Sequence, residues 1–145
     1  MILISHRGNL DGKSSFENNP KHIQEALLQD FDVEIDVWWF EDSGFWLGHD
    51  NPQYQVDKYY LENPKFWCHA KNIEGLYKMI QNKNIHCFWH QDDDVTLTSK
   101  GYLWTYPNKQ LTPKSIAVLP ELQKIDTKGC AGICSDFLID FSTKK

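Results

Sequence analysis

No apolar run in the sequence approaches the roughly 20 residues that a membrane-spanning helix requires, which excludes a helical membrane span. The N-terminus lacks the basic and apolar regions of a secretory signal, and Ile2-Leu3-Ile4 reads instead as the first strand of the fold. Positive charge is scarce and scattered. With 15 Lys and Arg against 20 Asp and Glu, a formal net charge of -5, there is no electrostatic footprint for nucleic acid. Cysteine pairs at zinc-site spacing are missing as well. Of the four cysteines, Cys68 and Cys87 fall in apolar, strand-like segments where reduced core thiols are expected, and Cys130 and Cys134 are too far apart for a CxxC motif. This pattern predicts a cytoplasmic home. There is no linker-like stretch of Pro, Gly or Ser, no repeat and no low-complexity segment, so residues 1–145 read as a single domain. The one charge run, Asp92-Asp93-Asp94, reads as a solvated turn, with a metal site as the alternative.

Aromatic residues, in contrast, are abundant: six Trp, six Tyr and eight Phe point to a dense core or to apolar surface kept for a partner. Short β-type runs recur at 2–6, 32–39, 45–49, 66–71, 85–90, 95–98, 102–106, 115–119 and 131–134. Helical spacing occurs twice. Pro20 to Gln29 carries Ile23, Ala26 and Leu27 on one stripe, and Ile73 to Gln81 carries Ile73, Leu76, Tyr77 and Ile80. Asn19 before Pro20 and Asn72 before Ile73 are N-caps. A third short helix is expected after Pro120, using Leu122 and Ile125.

Strand, helix, strand, helix, strand at the front of the chain predicts right-handed βαβ units and a parallel sheet. A (β/α)8 barrel takes about 250 residues, and this chain allows roughly 18 per unit. The expectation is therefore a compact, trimmed TIM-type α/β barrel that has lost several outer helices. Long loops, the aromatic side chains or a second copy in a homodimer would cover the bare strands.

Chemistry concentrates in Asp32-Val33-Glu34-Ile35-Asp36-Val37, where alternation puts Val33, Ile35 and Val37 on one strand face and Glu34 and Asp36 on the other. Turned into a barrel, two unpaired carboxylates are costly, and a divalent cation such as Mg²⁺ or Ca²⁺ resolves this. An edge strand facing water would carry the same alternation. Two histidine motifs favour the first reading: His6-Arg7-Gly8 and Gly48-His49-Asp50 each close a strand, at the edge where active sites of parallel α/β proteins gather. Paired imidazoles can serve as general acid and general base at one phosphorus, and Arg7 can grip phosphate oxygens in pairs.

The series His6-Arg7-Gly8, Phe16-Glu17-Asn18, Glu34-Ile35-Asp36-Val37 and Gly48-His49-Asp50 resembles the N-terminal signature of glycerophosphodiester phosphodiesterases, which share a barrel fold with phosphatidylinositol-specific phospholipases C. Leu103-Trp104-Thr105-Tyr106 resembles the family's late Trp-Thr strand, and the segment from Cys130 to Phe137 its closing strand. The resemblance implies His6 and His49 as acid and base, Glu34 and Asp36 as metal ligands, Arg7 as a phosphate contact and Glu17 as a supporting carboxylate. Where the family carries a Glu and then a Lys two residues on, this chain has His69 and Lys71. His69 is thus expected as the third ligand, which widens the candidate ions to Mn²⁺ or Zn²⁺, and Lys71 as a phosphate contact. His90, at a strand end, is a further substrate contact; His86 is a weaker candidate and His22 is expected to be merely exposed.

Together these readings predict a metal-dependent phosphodiesterase acting on a small glycerophosphodiester-like molecule and releasing a phosphomonoester and an alcohol. The alternatives are a phospholipase C-like or lyase-type enzyme that stops at a cyclic phosphate, and a non-catalytic barrel that binds metal and phosphate. Trp38, Trp39, Trp46, Tyr54, Tyr59 and Tyr60 fall near the segments that would rim the site, where aromatic faces suit a sugar, a glycerol backbone or a headgroup; cover for the core is the competing role.

Overall fold

The alternating runs become strands whose length is set by the turn residues between them. The computed structural model describes residues 1–122 and 126–143. In chain order they form β1 (Ile2–His6), α1 (Pro20–Leu28), β2 (Asp32–Phe40), β3 (Gly44–Leu47), β4 (Tyr54–Val56), β5 (Phe66–Ala70), α2 (Ile73–Ile80), β6 (Cys87–Trp89), β7 (Val95–Leu97), β8 (Leu103–Thr105), β9 (Ser115–Val118), β10 (Gly132–Ser135) and α3 (Leu138–Ser142). Both expected N-caps form: the Asn19 side chain accepts from Lys21 N and that of Asn72 from Gly75 N. Pro120–Leu122 makes a single 3₁₀ turn, and Ile125 lies outside the described residues.

The expected trimmed (β/α)8 barrel is not what the chain builds. All ten strands join one curled, mixed sheet, a half-barrel with three short helices among the described residues. Parallel pairing runs through β6, β5, β2, β1, β10, β9 and β8, while β3, β4 and β7 add antiparallel ribbons. Among the described residues, α-helical crossovers occur only at β1-α1-β2 and β5-α2-β6. The reason is connector length. Residues 106–114 must carry the chain from the end of β8 back to the start of its parallel neighbour β9, too short a segment for a helix and two loops. The open side of the curl is bridged by a few hydrogen bonds: Ser99 N donates to Cys87 O and Cys87 N to Ser99 Oγ, each at 2.9 Å, and Thr96 Oγ1 donates to Trp89 O at 2.8 Å.

Alternation sorts the side chains into layers. Val33, Ile35 and Val37 of β2 face outward, as expected, and pack with Ile23 and Ala26 of α1, Met79 of α2, and Phe45 and Leu47 of β3. Inside the curl, Ile4, Trp67, Phe88, Trp104, Ile116 and Cys134 meet from six strands. The Phe88 and Trp104 rings are 4.6 Å apart, and Trp67 is 5.9 Å from Trp104. This layer is a solid floor across the half-barrel. Phe31, Ala117, Ile133 and Leu138 form a third cluster under α3. Of the expected stripe of α2 only Leu76 packs against the core: Gly75 and Met79 are the buried residues of the helix, while Ile73, Tyr77 and Ile80 are exposed. All four cysteines are free thiols, and Cys68, Cys87 and Cys134 are buried. Among the described residues no helix is long and apolar enough to cross a membrane.

Candidate metal centre

Above the floor, at the C-terminal ends of the parallel strands, the inward positions become polar. Glu34 and Asp36 come from β2, His6 from β1, His69 from β5 and Asp136 from just beyond β10. Glu34 and Asp36 are 2% and 0% exposed, so the inward reading of the carboxylates holds and the edge-strand alternative fails.

His69 is fixed by a donor it has already spent. Its Nε2 lies 3.0 Å from His90 O, a carbonyl that can only accept, so the proton sits on Nε2. Nδ1 then faces Asp36 Oδ1 at 3.4 Å and Glu34 Oε1 at 3.7 Å. In a neutral ring that nitrogen is a lone pair pointing at two anions. Only a proton or a cation makes the arrangement favourable. Burial opposes a charged His69, but the contact with Asp36 and the charges of Glu34 and Asp36 outweigh it and lift its pKa to about 9. Burial likewise opposes the Asp36 carboxylate, yet His69, the Arg7 charge and Asn18 hold its pKa well below the usual range.

Two carboxylate oxygens at this place, Glu34 Oε2 and Asp36 Oδ1, are buried without a hydrogen-bond partner. One ligand atom from each of Glu34, Asp36 and His69 lies within 4.8 Å of the others. Orphaned anionic oxygens beside an imidazole lone pair are the donor set of a hard or borderline divalent cation, so the residues fit one.

A hydrogen-bonded shell holds this set from behind. The turn after β1 puts Arg7 at φ 57° and Gly8 at φ 90°, a left-handed bend that a bulky side chain adopts only under constraint. The constraint is visible: Arg7 N donates to Glu34 O at 2.9 Å, and Arg7 O accepts from Asn18 N at 3.0 Å. Arg7 Nε thereby sits 3.0 Å from Asp36 Oδ2, an ion pair without the alignment of a hydrogen bond, and Nη1 donates to Glu17 Oε2 at 3.0 Å. Asn18 clamps Asp36 twice, donating to Oδ2 and accepting from the backbone N, each at 2.9 Å.

His6 Nδ1 lies 2.7 Å from Asp136 Oδ1, which also accepts from Asn9 Nδ2 at 2.9 Å. The carboxylate keeps the Nδ1 proton in place and turns Nε2 toward Glu34 Oε2, 3.8 Å away. Burial lowers the His6 pKa, but Asp136 and Glu34 together raise it above the ordinary value.

These groups open into a cleft of about 420 Å³ lined by His6, Arg7, Glu34, His49, His69, Lys71 and His90 among others, with Asp36 beneath it and Glu17 behind Arg7. His49 stands on the rim, half exposed, with Nδ1 2.8 Å from Asp50. Gly48 makes that placement possible, since a Cβ there would lie 1.9 Å from Asn51 O. His90 is buried, stacks on Tyr106 at 4.0 Å, and leaves both ring nitrogens without a hydrogen-bond partner.

The weaker candidates take structural roles. His86 lies below the floor, bonded to Thr98 Oγ1 at 2.7 Å, and takes no part in the cleft. His22 is not merely exposed: its Nε2 meets Asn9 Oδ1 at 3.2 Å, so it buttresses the shell. None of Trp38, Trp39, Trp46, Tyr54, Tyr59 and Tyr60 lines the cleft; Trp104 and Tyr106 do. Trp38 instead donates to Gly48 O at 2.7 Å, and Trp39, Tyr54 and Tyr60 cover the outer cluster. The acidic run Asp92-Asp93-Asp94 is exposed, as expected of a solvated turn. Sequence reasoning assigned no role to Asn9, or to Asn18 and Asp136, which lie inside the quoted motifs. The usable signal for Asp136 was its place one residue past a strand that closes like β1 does.

No family model, no curated protein and no solved structure matches the chain. The site therefore stands on its own geometry.

Proposed function

We propose that the chain is a metal-dependent phosphodiesterase that cleaves a small diester of the glycerophosphodiester kind. The observation that carries this reading is the pair of buried, unpartnered oxygens Asp36 Oδ1, facing His69 Nδ1, and Glu34 Oε2, facing His6 Nε2, with His6 on its Asp136 support. Glu34, Asp36 and His69 would hold the cation, with Mg²⁺, Ca²⁺, Mn²⁺ and Zn²⁺ as the ions to test. Bound there, it supplies Lewis acidity at a phosphoryl oxygen.

The rest of the chemistry belongs to the chain. Arg7 and Lys71 line the cleft and offer positive charge to the remaining phosphate oxygens. Neutral His6 keeps its proton on Nδ1 against Asp136 and presents the Nε2 lone pair to the cleft, so it can take a proton from an entering oxygen or return one to a leaving oxygen. His49, across the same cleft, serves the other oxygen. Mere binding of metal and phosphate needs neither proton shuttle, which favours the enzyme over the binding module.

Phosphorus NMR of the protein with a mixed set of glycerophosphodiesters, in Mg²⁺, Mn²⁺, Ca²⁺, Zn²⁺ or chelator, tests the reading, with His6→Ala as control. The expected result is metal-dependent conversion to a phosphomonoester, lost in the control. A cyclic product that persists would assign the lyase-type reaction, and unchanged spectra under every metal would overturn the phosphodiesterase reading.

A further inference from the structure

The half-barrel leaves one helix short of a neighbour. α2 packs Gly75 and Met79 on the sheet, but Ile73, Tyr77 and Ile80, spaced so as to share one face, are 63%, 57% and 58% exposed. Beside that face runs a groove of about 400 Å³ between Leu76 and Ile80 of α2, Trp89 of β6 and Leu97 of β7, with Asp93 at one end. In an alternating α/β sheet the next outer helix would pack here. In this chain the connection after β6 is the ribbon of β7 and β8, and it leaves the helix face bare.

The surroundings of the groove say what covers it. β6 rises to the rim of the cleft and β7 descends from it, so Asp92, Asp93 and Asp94, between them, mark the upper end. Lys83, before β6, and Lys100, after β7, mark the lower end, where Lys100 Nζ donates to Lys83 O at 2.8 Å. The face is thus apolar in the middle, with Asp92 and Asp93 carrying the negative charge at the top, where Lys109 pairs with Asp94 at 3.0 Å, and Lys83 and Lys100 carrying the positive charge at the bottom. A surface with that polarity is complementary to itself turned upside down. We propose that this face is the contact between two copies of the chain, paired about a two-fold axis near Tyr77 with their α2 helices antiparallel. The Asp93 end of each copy then meets the Lys83 and Lys100 end of the other. The axis lies on the flank of the half-barrel, which leaves both clefts open.

This inference is independent of what the cleft does, and the chain's mass in solution tests it. Sedimentation equilibrium over a concentration series is expected to give a dimer for the full chain. Tyr77→Glu sets two like charges at the axis and is expected to give a monomer with an unchanged circular dichroism spectrum, since Tyr77 is exposed. Asp93→Lys and Lys100→Glu are each expected to raise the dissociation constant by on the order of a hundredfold, because each brings like charges together twice. The double variant Asp93→Lys/Lys100→Glu restores opposite charges and is expected to recover most of the wild-type affinity. A wild-type chain that stays monomeric throughout, or a dimer indifferent to Tyr77→Glu, overturns the proposal. A double variant no tighter than the singles overturns the antiparallel pairing.

Discussion

At the scale of single residues, His69 carries the most consequence, because one nitrogen is committed to His90 O and the other must choose between a proton and a cation. With its pKa at about 9 the ring is protonated at pH 7, and a metal must displace that proton. Mn²⁺ binding at pH 7 is therefore expected to release about one proton, with apparent affinity rising up to tenfold per pH unit until pH approaches that pKa. Titration calorimetry in two buffers of different ionisation enthalpy reads the proton directly; identical heats would show that His69 does not give one up. Glu34→Gln exchanges a carboxylate that has an unpartnered oxygen for a neutral amide and is expected to abolish thermal stabilisation by Mn²⁺, which under the proposed function should reach about 2.7 kcal/mol in the wild type at a hundredfold excess over the dissociation constant. In the proposed reaction Asp136 would act through His6. In Asp136→Asn the imidazole loses the carboxylate that raises its pKa, so the limb of the pH–rate profile governed by His6 should move to lower pH and kcat should fall by roughly 10²-fold or more. A fall in rate with an unmoved limb would make Asp136 merely structural.

At the scale of elements, α2 and β2 are joined by one side chain. Asn72 Oδ1 accepts from Gly75 N and Trp39 N, and its Nδ2 donates to Trp39 O at 2.8 Å, so the helix cap is also a bracket to the strand that carries both carboxylates. Gly75 gives the bracket its room: a Cβ there would sit 2.7 Å from Asn72 Oδ1 and 3.4 Å from Val37 O. Ala favours a helix interior over Gly by about 1 kcal/mol, yet Gly75→Ala is expected to lose about 1–2 kcal/mol because it pushes Asn72 out of its bonds. Urea midpoints decide the sign; a stabilised Gly75→Ala would show that the bracket yields. The helices α1 and α2 and the inward turn of Glu34 and Asp36 were legible in the sequence, because periodicity and alternation are local properties. The buried face of α2 was not: Ile73, Tyr77 and Ile80 look like a core stripe, and only the close approach of β2 to Gly75 turns the helix the other way. β4 and α3 are too short for either period to register.

At the scale of the molecule, the sheet's course escaped sequence reading, because closure depends on which strands meet and not on what each strand is. Seven strands pair in parallel but three add antiparallel ribbons, β8 reaches β9 without a helix, the described residues between β9 and β10 make a single 3₁₀ turn, and rings from β5, β6 and β8 fill the interior instead. That aromatic floor divides the half-barrel into two unlike ends. Above it lie the carboxylates and His69; below it an open cavity of about 630 Å³ is lined by Asp32, Trp67, His86, Lys100 and Tyr102 among others. His86 packs 4.2 Å from Trp67, and burial first, then the charge of Lys100, push its pKa down to about 4. The unfolded chain binds this proton more readily than the folded one. The His86 contribution is accordingly intact above the unfolded value near 6.5, shrinks as pH falls below it, and is fully lost below about 4. Screening by water in the open cavity brings the expected loss to on the order of 2 kcal/mol. His86→Gln cannot titrate, so its unfolding free energy should fall less steeply than the wild type's between pH 6.5 and 4, by that difference, while the two curves run parallel above pH 7. Parallel curves over the whole range would mean that water reaches His86 freely and that the floor and the cavity walls do not seal it.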